Sequence, residues 1–236
     1  MRLSTDRLRH GKALKQMFKE RPVAAMQNRF KRIHAMSIEC ATTDGRTPVG
    51  EYLDFLGAWV KKPRQTASVV PSSRYLARLM VRDVAPDGGR VMELGGGTGV
   101  FTRAILATGL PTDHLEVVEI NPAFARGLRR HFPGVSILEV PAQSVSASAA
   151  GAAGDYQTVI SGLPLLAMDR GLHVAILSEA FTMLRPGGSF IQFTYSLRSP
   201  VNRQVLDALG LSVSRVGQTV RNFPPATVFR FTRIDD

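Results

Sequence analysis

The chain has 236 residues, of which 44% are hydrophobic and 21% are charged, a composition typical of a soluble globular protein. No apolar run approaches the roughly 18 residues of a membrane-spanning helix, and a single cysteine, Cys40, excludes an internal disulfide and is compatible with a reducing cytosol. The length suits one domain with an appendage, and +8 of the net charge of +11 lies in residues 1–36.

Residues 1–49 are predicted to form a basic arm, separate from a domain over 50–236. The first 36 residues hold ten Lys/Arg against two acids, and segments 11–20 and 23–36 have the periodicity of amphipathic helices. The apolar side chains of the arm are Met17, Phe18, Val23, Met26, Phe30 and Ile33. A segment of this kind favours binding to nucleic acid or to an anionic lipid surface.

After a predicted helix at 50–60, helices and strands alternate along the rest of the chain. The predicted helices cover 71–84, 99–109, 121–131, 170–184 and 200–209. The predicted strands cover 90–94, 114–119, 135–140, 156–161, 188–195, 211–217 and 226–233. Several strands are nearly continuous apolar runs, as in a sheet covered on both faces. The pattern predicts an α/β fold with a seven-stranded, mostly parallel sheet that ends in an antiparallel hairpin.

A glycine-rich turn follows the first predicted strand. Glu93 lies near the strand end, and glycines follow at 95, 96, 97 and 99. Glycine permits a tight turn and close approach to a ligand, but no glycine completes the dinucleotide-binding G-x-G-x-x-G pattern. The E-x-G-x-G-x-G form resembles the S-adenosylmethionine site of class I methyltransferases, with Glu93, Gly95, Gly97 and Gly99 as predicted cofactor contacts. The alternative is a strand-turn-helix junction that binds no nucleotide.

The ends of the next two strands supply further candidate contacts. Glu119 follows the glycines by about twenty residues, where an acid accepts both ribose hydroxyls; the alternative is an acid that faces solvent. Ala142 and Gln143 are candidates for holding adenine, because Pro141 stands where such methyltransferases often have an acid. The remaining predicted cofactor contacts are Ser73, Ile120 and Ser161.

The fourth strand ends in the turn Ser161-Gly-Leu-Pro-Leu-Leu166, nearest the transferable methyl group in this fold. Amino methyltransferases of nucleic acids carry an Asn/Asp-Pro-Pro-aromatic or Asn-Leu-Pro-aromatic turn here, whose aromatic ring stacks on a flipped base. Ser161 is interpreted as replacing the Asn/Asp, and Leu165 as replacing the aromatic residue. A turn without a stacking ring argues against a nucleobase and for a non-planar amine.

Six stretches together resemble the bacterial phospholipid N-methyltransferases, which convert phosphatidylethanolamine to phosphatidylcholine. They are residues 55–63, 70–78, 93–103, 161–166, 184–196 and 222–230, within a similarity that spans 50–232. The Ser-Gly-Leu-Pro-Leu turn and the Gln-Phe-Thr-Tyr strand are the most specific. The resemblance implies S-adenosylmethionine as cofactor, S-adenosylhomocysteine as product, and a cytoplasmic enzyme. It also implies peripheral association with the inner face of the membrane, through basic N-terminal helices that bind anionic lipid.

The chemistry requires a neutral amine, because an ammonium has no lone pair to attack the methyl group. Aromatic faces suit the increasingly methylated cation, and the candidates are Tyr52, Trp59, Tyr75 and Tyr195. Glu51 or Asp54 is a candidate to take the proton or hold the cation. Candidates for the lipid phosphate are Lys61, Arg64 and Arg198. The catalytic set is therefore predicted to be Tyr195, Tyr52, Glu51 and Ser161, each with ordinary core or surface packing as the alternative.

Two other functions are compatible with parts of the pattern. An rRNA adenine dimethyltransferase shares the fold and a basic surface, but the missing aromatic residue after Leu-Pro counts against it. A non-catalytic membrane- or RNA-binding module shares the fold, but the intact glycine turn and Glu119 count against it. The sequence therefore favours a lipid partner over nucleic acid, and we predict no metal.

Overall fold

The structure is a computed structural model that describes residues 73–222 and 224–235. Seven strands form one sheet: β1 (Arg90–Leu94), β2 (Leu115–Val118), β3 (Ser136–Leu138), β4 (Tyr156–Ser161), β5 (Leu184–Thr194), β6 (Leu211–Thr219) and β7 (Ala226–Arg233). Their order is β3-β2-β1-β4-β5-β7-β6. The first five strands are parallel, whereas β7 is antiparallel to both β5 and β6. The predicted α/β fold with its terminal antiparallel hairpin is confirmed.

Five α-helices accompany the sheet in the described part of the chain: α1 (Arg74–Met80), α2 (Val100–Leu106), α3 (Pro122–His131), α4 (Arg170–Met183) and α5 (Arg203–Leu209). Polar side chains cap most of their amino ends by accepting a backbone N–H, and the capping residues are Ser73, Asn121, Asp169 and Asn202. No described helix has the length and apolar character needed to cross a membrane.

Some element boundaries differ from the prediction. β5 begins at Leu184 rather than near residue 188, because Leu184 already pairs with Tyr156 before the Pro-Gly-Gly segment. α1 ends at Met80 rather than near residue 84, and α5 begins only after its cap at Asn202. The predicted helices at 11–20, 23–36 and 50–60 lie outside the described residues, as does the predicted linker.

The main apolar cluster joins three helices to the central strands. Leu76 of α1, Ile105 of α2 and Leu128 of α3 are buried with Val91 and Val117. Near the other end of the sheet, the rings of Phe190 and Phe231 meet edge to face with centroids 5.8 Å apart. These contacts fix the central strands and the loops that follow them.

The loops that matter for function meet at one edge of the sheet. Parallel strands present their carboxyl ends together, so the segments after β1, β2, β4 and β5 lie on the same side. Thr194 at the end of β5 pairs with Thr227 at the start of β7, which brings the β6–β7 loop to that edge as well. Ligands of open α/β sheets bind at this carboxyl edge.

Candidate active site

The glycine turn is fastened to the end of β2. The backbone N–H groups of Gly95 and Gly96 donate to the Val118 carbonyl at 2.8 and 3.3 Å, and the Gly97 N–H donates to Glu119 Oε2 at 2.8 Å. Gly97 has φ +51° and Gly99 has φ +79°, values that other residues rarely adopt. The turn therefore requires glycine for its backbone shape at these two positions.

The four glycines differ in what a side chain would meet. A Cβ atom at Gly96 would collide with Val117 and Leu128, and one at Gly99 would collide with Phe132. At Gly95 a Cβ atom would lie 2.9 Å from Leu163 Cδ2. At Gly97 it would meet no atom within 4 Å. Gly96, which the sequence did not single out, is thus a packing residue, and Gly97 is the one whose missing side chain leaves open space.

Gly96→Ala is expected to destabilise the fold by about 1–3 kcal/mol, because its methyl group overpacks the contact with Val117 and Leu128. Chemical denaturation measures the free energy of unfolding. Gly127→Ala in α3 is the matched control, since a Cβ there meets nothing within 4 Å and alanine favours a helix. Equal stability of the Gly96→Ala variant and the wild type would contradict the packing role.

Glu93 is a fully buried acid beneath the glycine turn. Thr102 in α2 donates its hydroxyl to Glu93 Oε2 at 2.6 Å, while Oε1 has no hydrogen-bond partner among the described residues. Burial raises the pKa of Glu93 to about 8, and the charge of Glu119 adds to the rise. The unpartnered oxygen marks a place where a bound hydroxyl or ammonium group would be stabilised.

Glu119, which follows β2, links the glycine turn to the start of α3. Its Oε2 accepts from Gly97 N and its Oε1 accepts from Asn121 N at 2.7 Å. Burial raises its pKa, and these two backbone hydrogen bonds oppose the rise. A carboxylate has about four acceptor positions, so each oxygen keeps capacity for another donor.

These residues fit S-adenosylmethionine. The cofactor carries ribose hydroxyls for the carboxylate of Glu119, and an α-ammonium group, next to its own α-carboxylate, for an acid such as Glu93. The open space at Gly97 admits a ligand against the backbone. When bound, the cofactor supplies an electrophilic methyl group on a positive sulfur. The assignment of individual contacts to these residues stays a prediction.

Glu119→Ala is expected to weaken cofactor binding by about 1–3 kcal/mol, the range for leaving polar partners unpaired. The loss has two sources, the acceptor for the ribose and the hydrogen bond that holds Gly97. Calorimetric titration with S-adenosylmethionine measures it. Glu139→Ala is the control, because Glu139 follows β3 and pairs at the surface with Arg129. An unchanged affinity in the Glu119 variant would show that this acid does not contact the cofactor.

The turn after β4 has a different geometry from the one its sequence suggested. The Ser161 side chain is fully buried, and its Oγ accepts from Leu163 N at 3.3 Å, so it stabilises the turn instead of facing the cleft. A four-residue turn that ends at Leu165 begins at Gly162, not at Ser161. A Cβ at Gly162 would lie 2.9 Å from the Gly95 carbonyl oxygen, which leaves no room for an Asn side chain.

Two buried polar side chains form hydrogen bonds with backbone carbonyls of this turn. Gln192 in β5 donates from Nε2 to the Leu163 carbonyl at 3.0 Å, and its own Oε1 has no partner among the described residues. The His173 ring in α4 hydrogen bonds to the Leu165 carbonyl through Nε2 at 2.6 Å. The shape of the turn is therefore fixed by groups on two neighbouring elements.

Tyr195 lies where β5 leaves the sheet, at the carboxyl edge. Its half-buried ring meets Phe193 edge to face at 5.6 Å, and Phe193 meets Phe101 of α2 at 5.7 Å. Burial raises the pKa of Tyr195, and the neighbouring Asn222 side chain opposes the rise. Asn222 Oδ1 also accepts from Ser73 N at 2.9 Å, so the β6–β7 loop, β5 and the start of α1 meet here.

The structure describes only some of the remaining predicted site residues. Ile120 and Gln143 are half-buried, Ala142 is buried, and Arg198 is exposed beyond β5. Ser73 caps α1 with its hydroxyl at 3.2 Å from Leu76 N. Outside the described residues lie the predicted catalytic Glu51 and Tyr52, together with Asp54, Trp59, Lys61, Arg64, Met17, Phe18 and Phe30.

Three residues with clear roles in this geometry were not predicted. They are Thr102, Gln192 and Asn222, which hold Glu93, the β4 turn and Ser73 respectively. Gln192 and Asn222 act across 29 and 149 positions of the chain, whereas Thr102 is nine positions from Glu93. All three residues fall inside stretches that carried the family resemblance, which was the signal available in the sequence.

The sheet order, the glycine turn and the two acids define a class I S-adenosylmethionine-dependent methyltransferase. The fold is similar to that of the Burkholderia thailandensis 1,6-didemethyltoxoflavin N1-methyltransferase solved with S-adenosylhomocysteine (TM-score 0.56, 15% identity, 80% of this chain and 92% of that chain). It is also similar to a TehB-like S-adenosylmethionine-dependent methyltransferase from Corynebacterium glutamicum (TM-score 0.51, 15% identity, 76% and 96%). At this identity the likeness shows the fold alone. No protein-family model matches the chain.

A curated relative indicates which kind of methyltransferase this chain is. The chain is 33% identical over 149 residues to the ornithine lipid N-methyltransferase of Singulisphaera acidiphila, a match that covers 61% of this chain and 78% of the relative. The chain therefore belongs to the family of this lipid N-methyltransferase, and it is an enzyme that uses S-adenosylmethionine. The predicted enzyme class and cofactor are confirmed.

Proposed function

We propose that the protein transfers methyl groups from S-adenosylmethionine to the amine of a membrane lipid, with phosphatidylethanolamine as the first candidate and phosphatidylcholine as the final product. Membership of a family with a lipid N-methyltransferase supports the acceptor class. The stretches that resemble phospholipid N-methyltransferases support the particular lipid, and two of them, at 161–166 and 184–196, lie at the candidate acceptor site.

The β4 turn is the observation that carries the proposal. Leu165, at the position of the stacking aromatic, is only 1% exposed, and the Gly162 position has no room for an amide side chain. Leu166 is 57% exposed at the same edge. This turn offers neither an aromatic ring that would stack on a flat base nor an amide side chain that would hydrogen bond to the edge of that base. It presents an aliphatic surface, which suits an amine attached to a lipid.

The reaction is a direct displacement at the methyl carbon. The amine nitrogen forms a bond to the methyl group as the sulfur–carbon bond breaks, and the sulfur leaves as neutral S-adenosylhomocysteine. The ammonium must lose a proton before it attacks, and each added methyl group leaves a cation that loses its proton before the next transfer. Tyr195 offers an aromatic face for that cation at the edge of the sheet. The proton acceptor is proposed to be Glu51 or Asp54.

Ornithine lipid is a second candidate acceptor, favoured by the name of the curated relative. Its head group also carries a primary amine and an anionic group. The two lipids differ in that anion, which is a phosphate diester in one and a carboxylate in the other.

Mixed vesicles that contain both lipids test the acceptor. Purified protein and S-adenosylmethionine are added, and tandem mass spectrometry identifies which head-group nitrogen gains methyl groups. We expect phosphatidylethanolamine to be methylated before ornithine lipid. Methylation of ornithine lipid alone would replace the first candidate with the second, and methylation of neither would contradict the lipid acceptor.

We also propose that the basic arm binds the anionic inner leaflet of the cytoplasmic membrane. A basic amphipathic helix lies in the head-group plane, and each Lys or Arg near an anionic surface contributes about 1 kcal/mol. Deleting residues 1–36, which hold ten basic residues, should abolish sedimentation with anionic vesicles and preserve cofactor binding. Salt should weaken sedimentation of the full-length protein, because it screens these charges. If the shortened protein sediments as well as the full-length one, the arm is not the anchor.

A further inference from the structure

Two arginines from distant parts of the chain meet around one tyrosine ring at the carboxyl edge. The guanidinium carbon of Arg74 lies 5.1 Å from the centroid of the Tyr75 ring, and that of Arg221 lies 5.0 Å from the same centroid. Arg74 also donates from Nη2 to the Tyr75 hydroxyl at 3.3 Å. Both guanidinium groups therefore contact the same ring, although the two residues are 147 positions apart in the sequence.

No acid balances these charges in the described part of the chain. The ion pairs found there involve Arg82, Arg90, Arg129, Arg203 and Arg230. Neither Arg74 nor Arg221 takes part in one, and Arg78 follows Arg74 by one helical turn. The positive groups lower the pKa of the Tyr75 hydroxyl, with the hydrogen bond from Arg74 as the largest cause. Like charges placed together without a counter-charge repel, so an anionic ligand is the group that would stabilise this arrangement.

The arginine pair is tied to the candidate amine site. Asn222, the neighbour of Arg221, accepts a hydrogen bond from Ser73, the neighbour of Arg74. The same Asn222 side chain lies beside Tyr195. A second bond, from Asn222 Nδ2 to the Pro224 carbonyl at 2.8 Å, fixes the loop. The two arginines and the aromatic residue of the amine site are thus held as one unit.

We propose that Arg74 and Arg221 bind the anionic group of the acceptor's head group, a phosphate diester or a carboxylate, while the amine of the same head group reaches Tyr195. This inference rests on the proposed function. Guanidinium groups bind both anions through paired hydrogen bonds. Val220, next to Arg221, is 77% exposed, and it provides an apolar neighbour that a lipid needs and a free anion does not. The assignment of Lys61, Arg64 and Arg198 to the lipid phosphate stays a prediction.

The test compares soluble short-chain acceptors with and without an anion. Three are used: a phosphatidylethanolamine, an ornithine lipid and a diacyl amine whose head group has no acid. The double variant Arg74→Ala/Arg221→Ala should raise KM at least about tenfold for the acceptors with an anion, consistent with the loss of charge-assisted hydrogen bonds. It should leave kcat, KM for the anion-free amine and the affinity for S-adenosylmethionine within about twofold of wild type. For the acceptors with an anion, the KM of Arg74→Lys/Arg221→Lys should lie between those of wild type and the double alanine variant, because lysine keeps the charge without the paired donors.

Arg126→Ala/Arg185→Ala is the matched control, since it removes two exposed charges elsewhere. An equal rise in KM for all three acceptors, or the same rise in the control, would overturn the anion site. The measurements with the two lipids show which anion the arginine pair binds. A change for only one lipid assigns the site to the anion of that lipid.

Calorimetry with glycerophosphoethanolamine separates this inference from the proposed function. If the wild type methylates no lipid, the proposed function fails, and the titration still decides the anion site. We expect wild type to bind glycerophosphoethanolamine more tightly than inorganic phosphate, and the double alanine variant to lose that binding. Equal binding of inorganic phosphate would assign the pair to a free anion and contradict a head-group site.

Discussion

Gly97→Val should abolish S-adenosylmethionine binding while the protein stays folded. A side chain at this position meets no protein atom within 4 Å, so it would project into the space that the ligand is expected to fill. The Gly97 N–H is fixed by Glu119, which prevents the turn from moving aside without losing a hydrogen bond. Calorimetric titration should show no measurable heat for the variant, against a clear binding isotherm for wild type.

The backbone conformation of Gly97 calls for a matched control. Valine is strained at φ +51°, a cost on the order of 1–3 kcal/mol in stability. Gly187→Val has the same kind of strain, because Gly187 has φ +71° and also meets nothing within 4 Å, but it lies at the opposite edge of the sheet. Both variants should lose similar stability, and only Gly97→Val should lose the cofactor. Normal affinity in Gly97→Val would remove the turn from the binding site.

Glu93→Gln should make the stability of the protein less dependent on pH. The pKa of Glu93 rises from 4.5 to about 8 on folding, chiefly through burial. Between these values the native state keeps a proton that the unfolded state has lost, so the free energy of unfolding falls as pH rises. This contribution is fully present below the unfolded pKa and is lost once pH passes the folded pKa. Glutamine resembles the protonated acid and cannot ionise, so the free energy of unfolding of the variant should not show this fall.

Urea denaturation at several pH values measures this effect in the protein without cofactor. Relative to wild type, the Glu93→Gln variant should gain a few kcal/mol between about pH 5 and about pH 9, at about 1.4 kcal/mol per pKa unit. Glu139→Gln is the matched control, because it makes the same change in an acid that lies at the surface and pairs with Arg129. Parallel profiles for wild type and Glu93→Gln would show that Glu93 is not a neutral acid in the folded protein.

The sequence predicted the fold well because its signals are local. Apolar runs gave the seven strands, and the missing helix between the last two indicated the hairpin that places β7 beside β5. The start of β5 was misplaced because Pro186 and the two glycines after it are typical of a turn, although Leu184 is already paired in the sheet. Local composition cannot show that pairing.

The site was predicted less completely, because its geometry depends on contacts between distant segments. The spacing of the glycines indicated a ligand but did not distinguish the packing of Gly96 from the open position of Gly97. Ser161 was assigned to the amine from its place at a strand end, yet its side chain is buried under the turn. Arg74 and Arg221 come together only because the β6–β7 loop returns to the start of α1.

Transfer of a labelled methyl group tests the central claim most directly. The purified full-length protein is incubated with methyl-labelled S-adenosylmethionine and either anionic vesicles containing phosphatidylethanolamine or ribosomal RNA, and the label is counted in each fraction. We expect label on the lipid nitrogen with wild type and with Gly187→Val, none with Gly97→Val, and none in the RNA. Label in the RNA, or no label in the lipid from a protein that binds the cofactor, would contradict the assignment of this chain as a lipid N-methyltransferase.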